Sequence, residues 1–287
     1  MLSRRISPTV RRRRLSALLR HLRTESGKTL EVAASALEWS RGRLAHMEGN
    51  KWSRPDLGNL KQLLDLYEVT DPAQREAVLT LARQSRERGW WAKFKDVFGE
   101  SSFVGFEAEA AVVWTYQPLV VPGLLQTRDY AQASAQAALT RPSPEAVERA
   151  VAARMARQDV LSADFPPTIW AVIDEGVLRR LPVANGVAEQ QLQHLIALSE
   201  RPDNAITVQV LPFSAGLHPG LSGPFVIMDF PEELDAPMVF LETRTDGLFL
   251  EEDDDIAEYR HVFDHLQVTA RSQSESIELM KDMLANL

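Results

Sequence analysis

The chain contains no cysteine. That absence removes disulfide scaffolds, cysteine nucleophiles and thiolate metal sites together, and it suits a reducing cytoplasm. No apolar run approaches the roughly 20 residues that a bilayer-spanning helix needs. The basic beginning, Arg4-Arg5 and then Arg11 to Arg14, lacks the apolar stretch of a secretory signal. Also missing are a phosphate-cradling Gly-rich loop and a nucleophile elbow. A cytoplasmic protein with no membrane association and no cofactor is expected.

The candidates for catalysis are correspondingly thin. His261 and His265 lie four apart beside Asp264, but no Glu follows His261 as a zinc-protease helix requires, so both read as structural. The acidic run Glu251 to Asp255 reads as a helix N-terminus, where negative charge meets the positive end of the dipole. His218 sits in a Gly/Pro-rich loop with no Ser, Asp or Lys partner at a telling spacing. Neither a metal site nor an enzyme is expected.

What is present points elsewhere. A length of 287 residues suggests two domains, and 45% hydrophobic with 25% charged residues is the composition of an ordinary globular protein. The net charge of −8 hides a split: residues 1–95 carry 20 Lys/Arg against 10 Asp/Glu, and the rest carries 12 against 30. A module of net +10 joined to a body of net −18 is the asymmetry expected when one end meets a polyanion.

The basic end reads as five short helices. Leu15, Leu18, Leu19 and Leu22 give residues 8–25 a helical apolar stripe, closed by Ser26-Gly27. Thr29 caps a second helix, Leu30 to Ala36, and Ser40 caps a third that ends at Gly49-Asn50. A fourth carries Leu57, Leu60, Leu63, Leu64 and Tyr67, and a fifth starts at Asp71-Pro72 and runs to about Arg88. Beyond Gly89-Trp90-Trp91 the texture changes. Helices are expected at 103–116, 127–139, 143–162, 187–199 and 255–284. Strands are expected at Thr168 to Ile173, Ile206 to Leu211, Phe225 to Phe230 and Met238 to Glu242.

The second and third helices have the features of a helix-turn-helix. Ala34 supplies the small residue at the crossing, and Ala33, Leu37, Trp39, Leu44 and Met47 supply the buried set. That leaves Arg41, Gly42, Arg43 and His46 outward near the start of the third helix, where a recognition helix meets base edges in the major groove. Arginine reads guanine through paired contacts to O6 and N7. Thr29, Ser40, Lys51 and Arg54 join these as candidate DNA contacts, with Arg20 and the Arg11–Arg14 run as further phosphate contacts. For the arginine run a solvated helix face is an equal alternative. Trp39 and Trp52 read as core or cap residues rather than base-stackers.

The run Gly27-Lys28-Thr29-Leu30-Glu31, through Leu37-Glu38-Trp39-Ser40 to Met47-Glu48-Gly49-Asn50, resembles the Cro/lambda-repressor (Xre-type) helix-turn-helix family. The resemblance implies an ion pair between Arg23 and Glu48 as a structural clamp. It departs from the family at Leu30, where a Gln is frequent, and at Glu38, where a Gly is frequent and which needs an unusual backbone angle or a slightly different turn. Gly89-Trp90-Trp91, Val121-Pro122-Gly123-Leu124-Leu125-Gln126-Thr127, Val210-Leu211-Pro212 and Gly216-Leu217-His218 extend it. They look like the WhiJ-like, antitoxin-like actinomycete regulators that join an Xre-type domain to a C-terminal DUF5753 domain. The resemblance also implies a small partner protein encoded by a neighbouring gene.

The expectation is therefore multidomain: an all-α lambda-repressor-like helix-turn-helix domain over 1–89, then a mixed α/β sensing, docking or dimerisation domain over 90–287. The expected function is that of a transcriptional regulator, a homodimer binding double-stranded DNA. The alternative is an antitoxin-like interaction component whose DNA binding is secondary.

Overall fold

The structure, a computed structural model, describes residues 7–52, 54–99, 103–140, 142–203, 205–231, 235–243 and 247–287; Arg4 and Arg5 lie outside the described residues. It divides into two units, one running to Lys93 and taking in Asp235, the other holding the rest from Phe94.

The first unit is helical: α1 (Pro8–Glu25), α2 (Leu30–Ala36), α3 (Arg41–Glu48), α4 (Leu57–Leu66) and α5 (Pro72–Gln84). Their starts follow from local chemistry. Asp56 accepts from the Asn59 amide at 2.9 Å, and Asp71 accepts from the amides of Ala73 and Gln74, just ahead of Pro72 at the first helical position. One apolar cluster holds all five helices, with Leu15, Leu19, Leu44, Leu60, Leu63, Leu64 and Val78 sealed from solvent. Trp39 and Trp52 pack on its margin as partly buried residues.

The second unit is built on a six-stranded mixed sheet, ordered β3-β2-β1-β4-β5-β6. Its strands are β1 (Val112–Gln117), β2 (Thr168–Asp174), β3 (Ile206–Leu211), β4 (Phe225–Asp229), β5 (Met238–Glu242) and β6 (Gly247–Leu250). β1, β2 and β3 run parallel, whereas β4 turns antiparallel to β1 and the remaining pairs are hairpin-like. The helices are α6 (Lys95–Phe98), α7 (Phe103–Glu107), α8 (Arg128–Ala138), α9 (Pro144–Gln158), α10 (Glu175–Arg179), α11 (Val187–Ser199), α12 (Asp253–Thr269) and α13 (Gln273–Ala285). α12 lays Ile256, Phe263 and Leu266 over Tyr116, Val172, Phe225 and Val239. No helix among the described residues is long and apolar enough to cross a membrane.

Two expectations are corrected, and one strand was not expected. The helix expected over 103–116 stops at Glu107, because Val112–Gln117 enters the sheet as β1 and finds ladder partners on both edges. Trp114 there stacks on Trp170 of β2, its register partner, with ring centroids 5.7 Å apart. β6 had no expectation at all, and the helix expected over 255–284 is two helices broken at Ala270–Ser272. Ser272 caps the second through a reciprocal bond with Glu275.

The Val121–Thr127 run is a packing hub. Its backbone groups are satisfied by side chains from neighbouring helices. Gln158 donates to the carbonyls of Gly123 and Gln126, Gln191 donates to the Leu125 carbonyl, and Gln191 accepts from the Thr127 amide. Buried Glu107 closes the layer by pairing with Arg157, Nη2 to Oε1 2.6 Å. A side chain at Gly123 would press on that guanidinium at 3.1 Å, so the glycine is kept by close approach.

Candidate nucleic-acid interface

α2 and α3 cross through Ala33 and Ala34, both nearly inaccessible, which lets Leu44 and Met47 of α3 reach the core. Thr29 accepts from the Val32 amide and Ser40 from the Arg43 amide, each at 3.2 Å, so both hydroxyls serve as N-caps. The turn between the helices places Glu38 at φ +56°, the left-handed backbone its side chain resists. Of the two alternatives open for Glu38, the chain takes the unusual angle.

The inner end of α3 is bolted down. Glu48 receives Arg23 Nε at 2.8 Å and Nη2 at 2.9 Å, while Arg23 Nη1 donates to the Lys28 carbonyl at 2.8 Å. The side chains keep only 11% and 4% of their accessible surface. The hydrogen bond to Glu48 raises the Arg23 pKa above its ordinary value. Burial, and then the nearby Glu48 charge, raise that of Tyr67, whose ring packs in the same core. The clamp implied by the resemblance is present as a bidentate pair.

The outer face is open. Ser40, Gly42, Arg43, His46, Lys51 and Arg54 line a common groove of about 560 Å³ running along α3 and the loop after it. The loop carrying Lys51 is fastened at Trp52, whose indole donates to Ser16 at 2.8 Å, and at Pro55, whose carbonyl accepts from Arg86 Nε at 2.7 Å. Thr29 and Arg41 do not line the groove. Arg41 pairs with Glu31 on α2, Nε to Oε1 2.5 Å, and Arg43 lies over the Trp39 ring at 4.0 Å. The Glu31 backbone amide, and then Arg41, hold the Glu31 carboxyl below the usual carboxylate range.

Sequence reasoning missed Asp56 and Asn59, which close the groove from the start of α4. It also missed Glu31. The capping position of Asp56 was the available signal for the first two; nothing local announced that Glu31 would meet Arg41. The arginine run of α1 is not a free basic stripe. Arg11 and Arg13 are buried, Arg11 pairs with Glu87 at 3.2 Å, Arg12 reaches Asn50 at 3.4 Å, and Arg14 donates Nε to Asp235 at 3.2 Å. These guanidiniums are turned to protein carboxylates and amides by contacts remote in sequence. Arg20 stays exposed.

Among the described residues no cluster of His, Asp and Glu has the arrangement of a metal site. A family model described as a helix-turn-helix domain matches residues 14–78, and one described as a domain of unknown function, DUF5753, matches residues 101–282. No curated protein and no solved structure matches the chain.

Proposed function

The chain belongs to the DUF5753 family, and from that premise and its helix-turn-helix domain we propose a sequence-specific DNA-binding transcriptional regulator. The observation that supports it is the outer face of α3, where Gly42, Arg43 and His46 share one groove with Lys51 and Arg54 while the inner end is locked by Arg23 and Glu48. A rigid helix with basic side chains outward is what the major groove admits. In this reading Arg41 and Arg43 take base edges, with Gly42 and His46 beside them. Thr29, Ser40, Lys51 and Arg54 take phosphates, which position the helix without reading sequence.

The division of labour follows the chain: residues 1–89 bind DNA and residues 90–287 form the sensing, docking or dimerisation domain. A helix-turn-helix reaches useful specificity when two heads meet half-sites about 34 Å apart, so the regulator acts as a cytoplasmic homodimer. A partner protein or ligand preferring one arrangement of the heads changes operator affinity by its differential affinity. It acts without catalysis.

The test is anisotropy of the full chain on the duplex it enriches from a randomised pool, against a scrambled duplex, across salt. Specific binding is expected to exceed scrambled binding by about a thousandfold or more and to weaken steeply with salt. Arg43→Ala is expected to cost about 1–3 kcal/mol on the enriched duplex and to relax one base pair. Enrichment of no sequence would overturn the reading.

A further inference from the structure

Arg41 and Arg43 flank Gly42 on the outer face of α3, and each guanidinium is held by a different neighbour. Arg43 stacks on Trp39, an uncharged surface. Arg41 forms an ion pair with Glu31, Nε lying 2.5 Å from Oε1, from the first turn of α3 to the first turn of α2. Both members of that pair are open to water, 71% and 60% exposed, so it adds little to folding. For binding, Glu31 is a liability on its face of it: a carboxylate on a surface that meets a polyanion weakens attraction to every phosphate backbone alike. Glu31 also meets its own backbone amide in the first turn of α2, a modest local stabilisation that does not call for a partner on α3, so the contact with Arg41 is left to act on selectivity.

We propose that Glu31 is a specificity-determining residue, which fixes Arg41 through Nε and leaves the terminal Nη1/Nη2 edge to read guanine O6 and N7. The geometry supports a buttress. A carboxylate held against Nε limits where the guanidinium can swing, and the two terminal nitrogens form the fork that matches the Hoogsteen edge of guanine. The same carboxylate repels a phosphate that would otherwise capture Arg41, so the arginine keeps its base contact on matched DNA and gains little on unmatched DNA. Gly42 serves the same approach: a methyl group there would meet nothing within 4 Å of protein, so packing within the fold does not dictate the missing side chain. The proposal rests on the DNA-binding reading above.

The experiment compares the full-length wild type with Glu31→Gln and Glu31→Asp. Wild type is first used to enrich a duplex from a randomised pool, and Arg41→Ala identifies the guanine whose preference depends on Arg41. Anisotropy then measures each protein on the enriched duplex, on that duplex with the guanine replaced, and on a scrambled duplex across salt. Glu31→Gln is expected to lower discrimination at that guanine about tenfold. It should also tighten scrambled binding severalfold, with a salt slope steeper by about one contact. Glu31→Asp keeps the charge and shortens the arm. It is expected to lose discrimination as Glu31→Gln does, while scrambled binding stays at the wild-type level. Equal tightening of all three duplexes by Glu31→Gln would reduce Glu31 to a repelling charge and overturn the proposal. So would unchanged discrimination in both variants. A wild type that enriches no sequence would instead overturn the DNA-binding reading, and the buttress with it.

Discussion

At its inner end α3 offers Glu48 to Arg23; at its outer end it offers Arg41 to Glu31. The ions are the same and the distances similar, 2.8 and 2.5 Å, but the surroundings are opposite. The inner pair lies under the helices, where each charge is stranded if the other is removed. The outer pair lies in water, where either member can turn to another partner at small cost. One arrangement fixes where the helix sits, and the other leaves its side chains open to solvent. The comparison separates residues whose loss unfolds the domain from residues whose loss should leave it folded and change what it binds.

The largest expected effect breaks the inner pair. Arg23→Ala is expected to destabilise the first unit by about 3–5 kcal/mol, measured by urea unfolding, because it leaves the buried Glu48 charge uncompensated. Glu48→Ala is expected to cost less, because partly buried Arg23 keeps the Lys28 carbonyl. The double variant should cost less than the sum, and strict additivity would show that the pair does not act as a unit. Next comes the turn that sets the angle between α2 and α3. Glu38 adopts φ +56°, so Glu38→Gly is expected to stabilise the same unit by about 1 kcal/mol while leaving DNA affinity near wild type. A loss of stability would mean that the Glu38 side chain contributes a contact outweighing its backbone strain. The smallest effect sharpens the comparison most. Gly42→Ala is expected to stabilise α3 by about 0.5–1 kcal/mol and at the same time to weaken binding to the enriched duplex. Stability and affinity rising together would move the DNA-facing surface away from Gly42.

The first unit was largely legible because its signals are local. Caps at Thr29 and Ser40, the Asp71-Pro72 start, and leucine spacing in α1 and α4 place the helices within a few residues. The Arg23–Glu48 pair and the strained Glu38 came from the family resemblance. The arginine run was misread because Glu87 and Asp235, which receive Arg11 and Arg14, lie 76 and 221 residues away. The sheet was read in part. β2 and β3 are apolar runs with clear boundaries, whereas β1 follows helical Phe103–Glu107 after only a few residues and its Val-Val-Trp-Thr-Tyr core has no polar alternation. A strand covered on both faces carries no period by which to distinguish it from a buried helix. The outer pair was illegible for another reason: whether Glu31 meets Arg41 depends on the helix crossing angle, which no local pattern encodes.

β1 has a consequence for the order in which the chain can fold. It lies between β2 and β4, pairing Val112 with Thr168 on one side and with Asp229 on the other. During synthesis it therefore waits for more than fifty residues to gain its first neighbour and for more than a hundred to gain its second. The helical core needs nothing beyond Ala82. On a ribosome the helix-turn-helix can close its core while the central strand of the sheet is still without partners. A truncated nascent chain would carry the closed apolar core of the helix-turn-helix before any sheet exists, with Arg14 still waiting for Asp235.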